Sequence, residues 1–335
     1  MNGMVLITKE QSNFIKGIAI CLMLFHHLFT YPERFPSQIE IIWLSDSFHY
    51  EKYLGEVGKY CIPLFLFISG YGFASNNKKD INPQYYFNKI FLFFIAYWLV
   101  FSIFIPLSYF FSSHTFVTLN VKEFMLNFFG VSDSFNREWW FVFLYLVMLS
   151  ITPLLFIMKK QFLPVFAISG LLYGLSFDNP KMYNILFWQP AYVLGFYAGI
   201  NRECILKIYN NSNYRVWLFI SSATFLTLGL LWRDWDSMPF FVIFFIFWVR
   251  FFFKFTPFVL RRLFECIGCK SLFIWLTHSF YCYHFAKEFI YSPKYTILIF
   301  INLLIVSYLS ALILNYIYVS IIYKLKAKGL IFKEI

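Results

Sequence analysis

The sequence predicts an all-α polytopic membrane protein with about ten transmembrane helices and both termini in the cytoplasm. Of its 335 residues, 60% are apolar and only 13% are charged, whereas soluble proteins average roughly 45–50% apolar and about 25% charged residues. Phe (48) and Tyr (24) are strongly over-represented. Because one transmembrane helix needs about 20 apolar residues, this composition accommodates about ten of them. It excludes a soluble enzyme, a disordered chain and a nucleic-acid-binding domain.

The individual spans follow from apolar runs that are separated by polar or charged residues. Ten runs are long enough to cross a bilayer, the fifth and sixth being the shortest. We expect them to form one transmembrane domain over residues 1–335, without an internal repeat. The predicted spans lie near 13–31, 54–75, 87–112, 139–158, 162–177, 184–200, 215–232, 239–256, 271–290 and 295–323.

The distribution of charge predicts the orientation. If the N-terminus is cytoplasmic, the cytoplasmic segments contain 19 of the 28 Lys and Arg residues but only five of the 17 Asp and Glu residues. The cytoplasmic side then carries a net charge of +14 and the outer side −3, as the positive-inside rule requires. The total charge of +11 is therefore explained by topology and requires no nucleic-acid partner.

The six cysteines do not form a recognisable framework. Cys266 and Cys269 make one C-x-x-C pair without a second Cys or His pair at zinc spacing. We therefore expect neither a disulfide scaffold nor a metal site. The first apolar stretch contains two histidines and lacks a small-residue cleavage site, so it is not expected to be a cleavable signal peptide.

Ionisable residues inside a span are costly and therefore suggest function. In the first span Lys16 and His27 are 11 residues apart, about three helical turns, so they share a face with His27 roughly 16 Å deeper. Histidine is the natural general base near neutral pH. Gly17 would admit another backbone or a ligand, whereas His26 points about 100° away. In the alternative without a catalytic role, the Lys16 side chain extends to the lipid headgroups and the histidines form hydrogen bonds between helices.

Three further segments carry unusual residues for a membrane interior. His278 lies in the ninth span, about 12 Å from its cytoplasmic end, where an interhelical hydrogen bond is the structural alternative. Pro63, Gly70 and Gly72 in the second span predict either a kink or close packing of helices through small residues. The run from Arg137 to Trp140 begins the fourth span. The alternative to a functional role is that its tryptophans anchor the helix at the membrane surface.

These motifs resemble those of a known family. The spacing of Lys16 and His27 resembles the R/K-x10-H signature in the first helix of a large bacterial family of integral-membrane acyltransferases, acyltransferase family three. The resemblance extends from about residue 13 to residue 323. Four more stretches resemble other motifs of this family: PLFLFISGYG at 63–72, WFV at 140–142, VLGFYAGI at 193–200 and SLFIWLTH at 271–278.

The resemblance implies an enzyme of the bacterial cytoplasmic membrane that O-acetylates surface glycans with cytosolic acetyl-CoA. The paired His26 and His27 and the WLTHSFYCYHF stretch are most similar to capsule or exopolysaccharide O-acetyltransferases. Lys16 occupies a position at which many members of this family have Arg. Lysine keeps the positive charge but cannot make the bidentate contact to phosphate that arginine makes. The expected partners are acetyl-CoA, a polysaccharide or its lipid-linked precursor, and the lipid bilayer.

Residues and resemblance together assign roles to the candidate residues. We expect His27 to take the proton of the acceptor hydroxyl, hydroxyl groups to stabilise the oxyanion, basic residues to hold the coenzyme A phosphates, and a carboxylate to orient a histidine. The catalytic candidates are His27, His278, Glu56, Ser69 and Tyr71. The donor-binding candidates are Lys16, Arg261, Arg262 and Lys270. The acceptor-binding candidates are His26, Arg137, Glu138, Trp139 and Trp140, of which Glu138 is also a candidate for orienting a histidine.

The route of transfer and the class of function remain open at this stage, and a purely structural or sensing membrane subunit is a further alternative to an enzyme. The acetyl group is transferred either directly or through an acyl-histidine. The rival function is a proton-coupled transporter or flippase for a glycan or lipid-linked sugar, in which the buried histidines would form a proton relay. Only the enzyme consumes acetyl-CoA, so this measurement distinguishes the two functions.

Overall fold

The computed structural model describes residues 6–75, 83–111, 120–175, 177–211 and 251–330, together with 216–217, 220–224, 227 and 238–239. Over these residues the regular structure is helical, and an isolated parallel bridge joins Ile42 to Tyr295. Five helical segments in the described part are long and apolar enough to cross a membrane. The predicted class, an all-α polytopic membrane protein, is therefore confirmed.

Thirteen α-helices are numbered here in chain order over the described residues. They are α1 (Lys9–Phe29), α2 (Tyr50–Val57), α3 (Cys61–Ser75), α4 (Pro83–Phe111), α5 (Val121–Phe128), α6 (Trp140–Ile157), α7 (Phe162–Tyr173), α8 (Pro180–Ile200), α9 (Arg202–Asn210), α10 (Phe258–Cys269), α11 (Ser271–Ser279), α12 (Lys287–Tyr291) and α13 (Thr296–Ala327). Short 3₁₀ segments lie at Pro32–Arg34, Gly58–Tyr60 and Arg137–Trp139, and a π-helical turn occupies Phe280–His284.

Most of the predicted spans correspond to helices. The first, third, fourth and tenth are α1, α4, α6 and α13, and the second is the continuous helical segment made of α2, a 3₁₀ turn and α3. The fifth is the short helix α7, and the sixth is α8. The seventh and eighth, 215–232 and 239–256, lie largely outside the described residues.

The ninth predicted span, 271–290, is not one continuous α-helix. The α-helical pattern ends at Ser279, a five-residue π turn follows, and α12 begins only at Lys287. In the π turn the N–H of Phe285 donates to the carbonyl of Phe280 at 3.1 Å, which is the i→i+5 spacing of π-helices. Apolar composition cannot distinguish this turn from an α-helix. Residues within and beyond it consequently face directions that an α-helical wheel does not predict.

The chain divides into two compact units. The first comprises Met1–Ala19, Tyr60–Asn82 and Val147–Cys269, and the second comprises Ile20–Lys59, Pro83–Leu146 and Lys270–Ile335. Helices α1 and α6 therefore contribute residues to both units. A single transmembrane domain over the whole chain stays a prediction.

Glycines bring α3 and α8 into close contact within the first unit. A methyl group on Gly70 would overlap the carbonyl oxygen of Tyr192, and one on Gly195 would overlap the backbone of Phe67. Close packing through small residues thus accounts for Gly70. Pro63 lies in the first turn of α3, directly after the 3₁₀ turn at Gly58–Tyr60.

Helices α1 and α10 of the first unit meet in the same way. A methyl group on Gly17 would overlap the carbonyl oxygen of Phe264, and one on Gly268 would overlap that of Asn13. Of the two partners predicted for Gly17, a backbone or a ligand, the structure shows a backbone.

Candidate active site

A histidine near the end of α1 forms the centre of a polar cluster in the second unit. The Nδ1 atom of His27 lies 3.2 Å from the hydroxyl oxygen of Tyr283 and 3.5 Å from Oε2 of Glu138. The side chains of His27 and Glu138 are only 12% and 13% exposed. The structure therefore brings the predicted base against one of the two carboxylates that the sequence offered as its orienting partner.

Local interactions at the beginning of α6 hold Glu138 in place. The Asn136 side chain accepts a hydrogen bond from the N–H of Glu138 at 3.1 Å and donates one to the Ser279 hydroxyl at 2.8 Å. The indole N–H of Trp139, which is fully buried, donates to the carbonyl of Leu276 at 3.1 Å. The segment that carries Glu138 is thereby fixed to the end of α11.

The hydrogen bonds of Tyr283 determine which ring nitrogen of His27 carries the proton. The Tyr283 hydroxyl donates to the carbonyl oxygen of His27 at 2.5 Å. Since a hydroxyl has one proton, it can only accept from the ring, so Nδ1 must be the N–H. The adjacent Glu138 carboxylate favours the same tautomer. The lone pair therefore lies on Nε2.

A second histidine lies against the first. The rings of His27 and His278 are 4.7 Å apart between centroids, at an angle of 43°. His278 is fully buried, and its Nδ1–H donates to the carbonyl of Trp275 at 2.7 Å. Its Nε2 is buried without a hydrogen-bond partner in the described part of the chain. The site thus contains two neighbouring imidazoles, each protonated on Nδ1 and each with its lone pair on Nε2.

Arg34 completes the cluster on the other side of Glu138. Its Nη1 lies 3.1 Å from Oε1 of Glu138, and its guanidinium lies 4.4 Å and 4.9 Å from the ring centroids of Tyr31 and Tyr283. Neither Arg34 nor Tyr283 was among the residues predicted from sequence. Arg34 ends the short 3₁₀ segment after α1, and Tyr283 lies within the π turn.

His26 has a different environment from His27. Its Nδ1 lies 2.8 Å from the carbonyl oxygen of Gly55 and 3.0 Å from the Thr30 hydroxyl, and its side chain is buried. The ring therefore ties α1 to α2, in agreement with the different helix face expected for His26.

Comparison with known proteins decides the family. A family model described as an acyltransferase domain matches residues 10–316. The chain belongs to acyltransferase family three. The matched range includes His27, Arg34, Glu138, His278 and Tyr283. No curated protein and no solved structure matches the chain at a significant level. The protein is therefore a multi-pass membrane acyltransferase.

The predicted donor-binding residues of this acyltransferase are divided between the units. Lys16 lies half-buried on α1 in the first unit. Arg261 and Arg262 lie on α10, also in the first unit, and Arg262 pairs with Glu265 at 3.0 Å while its side chain is 59% exposed. Lys270 belongs to the second unit and immediately precedes α11. Their role in binding the donor stays a prediction.

The other predicted residues of the acyltransferase lie in varied surroundings. Tyr71, in the first unit, accepts a hydrogen bond from the N–H of Ile7 at 2.9 Å, so its own proton remains available to a second partner. Ser69 is half-buried on the same helix, α3. Glu56 interacts electrostatically with Lys59.

Arg137 is exposed, and the rings of Trp140 and Phe141 pack edge to face, 5.9 Å apart. The catalytic and acceptor-binding roles of these residues stay predictions.

Over the ranges that the structure describes, no group of three or more His, Cys, Asp or Glu residues is arranged to hold a metal ion.

Proposed function

We propose that this acyltransferase moves an acetyl group from cytosolic acetyl-CoA to a hydroxyl of a capsular or other cell-surface polysaccharide, or of its lipid-linked precursor, in the bacterial cytoplasmic membrane. The observation that carries the proposal is the arrangement of His27, whose Nδ1–H faces Tyr283 and Glu138 and whose lone pair consequently lies on Nε2. The acetyl donor and the glycan acceptor are supported by the motif resemblance, and the cytoplasmic orientation of both termini by the charge asymmetry.

The proposed reaction begins with proton transfer at Nε2 of His27. As the acceptor oxygen attacks the thioester carbonyl carbon, its O–H proton passes to Nε2, because a sugar hydroxyl is too weakly acidic to ionise alone. The C–S bond then breaks, and the departing thiolate takes up that proton. Glu138 stabilises the imidazolium formed in between, as a carboxylate beside a catalytic imidazole does in hydrolases. In the acyl-histidine alternative the same nitrogen attacks the thioester directly.

His278 supplies a second acceptor for the substrate in this proposal. A buried polar atom without a partner is uncommon, since it costs free energy. The Nε2 of His278, which has no hydrogen-bond partner within the described ranges, lies in the ring next to His27. An O–H group of the acceptor sugar bound between the two rings would satisfy it. Direct transfer thus has one nitrogen to remove the proton and another to position the sugar.

The function is tested with sealed membrane vesicles, labelled acetyl-CoA and polysaccharide or lipid-linked precursors from the source cells. We expect label to appear in base-labile glycan esters when acetyl-CoA is supplied to the cytoplasmic face, as in inside-out vesicles. Right-side-out vesicles should incorporate little label, and vesicles without the protein none. Absence of acetyl-CoA consumption in inside-out vesicles with acceptor present would overturn the proposal.

The donor site is tested at Lys16. If Lys16 holds coenzyme A phosphates, Lys16→Gln should raise KM for acetyl-CoA and lower kcat/KM by about one to two powers of ten, because a charge-assisted hydrogen bond contributes roughly 1.5–3 kcal/mol. Lys16→Arg should retain most activity, since Arg keeps the charge and binds phosphate well. If Lys16 only extends to the headgroups, Lys16→Gln should lower the yield and leave KM of the purified protein unchanged.

A further inference from the structure

The Tyr283 hydroxyl contacts both the backbone carbonyl and the imidazole ring of His27. Its hydroxyl donates to the His27 carbonyl at 2.5 Å and lies 3.2 Å from the ring Nδ1 of the same residue. Because α1 ends at Phe29, the His27 carbonyl is one of the last four in the helix, which have no intrahelical donor. The proton of Tyr283 is therefore directed to the helix terminus, and only its lone pairs face the imidazole.

The π turn puts Tyr283 where it can make these contacts. Tyr283 follows His278 by five residues, and in a continuous α-helix the two side chains would point about 140° apart. A π turn winds by more residues per turn, so this angle is smaller. His278 and Tyr283 accordingly both contact His27.

Glu138 and Arg34 strengthen the same preference. One carboxylate oxygen of Glu138 pairs with Arg34 at 3.1 Å, and the other lies 3.5 Å from Nδ1 of His27. A carboxylate oxygen accepts hydrogen bonds, so its position beside the ring favours a proton on Nδ1. The Arg34 guanidinium lies over the Tyr283 ring, which links the two groups that contact the imidazole.

We propose that Tyr283 is a positioning residue that selects the His27 tautomer with its lone pair on Nε2, supported by Glu138 and Arg34. In a neutral imidazole either nitrogen can carry the proton, and the opposite tautomer would direct the lone pair at the protein instead of the substrate. The consequence for catalysis rests on the proposed function of His27 as the base, whereas the tautomer itself is a property of the resting protein.

The test compares two tyrosines that bond to the same end of α1. The Tyr291 hydroxyl donates to the Leu28 carbonyl at 3.1 Å, so Tyr291→Phe removes a bond of the same kind that does not involve the His27 ring. We expect Tyr283→Phe to lower kcat roughly tenfold, the size of one net hydrogen bond, with KM for acetyl-CoA unchanged within about twofold. The Tyr291→Phe variant should lose about as much thermal stability as the Tyr283→Phe variant, and its kcat should be unchanged. Equal kcat values for the two variants would overturn the proposal.

A spectroscopic measurement makes the test independent of turnover. In the full-length protein labelled with ¹⁵N-histidine, the His27 signals, assigned by their loss in His27→Gln, should show a protonated Nδ1 and an unprotonated Nε2. Tyr283→Phe should reduce the fraction of this tautomer. Protonation of Nε2 in the unmodified protein would overturn the inference even if acetyl transfer is confirmed. Conversely, the expected ¹⁵N signals without any acetyl transfer would reject the proposed function alone.

Discussion

Replacing His27 with alanine should lower kcat for acetyl transfer by about 10²–10⁴-fold, the usual contribution of a positioned general base. The variant should still insert and fold, because the ring is one partner in a polar cluster and not part of the helix contacts made by Gly17 or Gly70. Initial rates of the purified protein at saturating acetyl-CoA and acceptor measure the effect.

His26→Ala is the matched control for this experiment. It removes an adjacent imidazole of the same size, but one whose Nδ1 bonds to Gly55 and Thr30. We expect a loss of thermal stability and a much smaller loss of kcat than in His27→Ala. Similar kcat losses in the two variants would contradict the assignment of the base to His27.

Glu138→Gln should lower kcat by about two powers of ten or more with little change in KM for the acceptor. Arg34 is a donor and faces one carboxylate oxygen of Glu138, so the Gln amide would direct its oxygen to Arg34 and its NH₂ group to His27. An NH₂ group donates, which would oppose the Nδ1–H that Tyr283 selects and raise the fraction of the unproductive tautomer protonated on Nε2. An amide that replaces the carboxylate beside a catalytic imidazole has this effect in other enzymes. Steady-state kinetics with each substrate varied would measure this.

The sequence also suggested that Glu138 binds the acceptor, and the same kinetics distinguish that role. A binding residue would raise KM for the acceptor and leave kcat unchanged, which would contradict the orienting role. Glu33→Gln is the control, since it removes an exposed charge next to Arg34. It should leave both constants close to those of the unmodified protein.

Helices were predictable where long apolar runs had polar ends. The first span was found at α1 even though it contains Lys16 and His27, because the rest of its residues are apolar enough for a transmembrane helix. The shared face of two ionisable residues in one helix was also a property of local sequence, since helical geometry alone relates positions 11 residues apart. These inferences needed no knowledge of tertiary contacts.

The partners of His27 could not be derived in this way. Glu56 and Glu138 were equivalent candidates as orienting carboxylates, and only the packing of the beginning of α6 against α11 brings Glu138 to the ring. Arg34 had no sequence feature that separated it from other loop cations. Tyr283 was concealed by the π turn, because an α-helical wheel puts it on a different face from His278.

The π turn at Phe280–His284 also has a consequence for the evolution of this segment. Removing one residue of the turn before Tyr283 would restore the α-helical spacing there and rotate Tyr283 by about 100° relative to His278. Tyr283 would then no longer contact His27. Exchanges among large apolar residues at Phe280 would preserve the geometry. Selection at this segment should therefore act on its length more strongly than on its composition, and insertions or deletions among functional relatives should fall outside it.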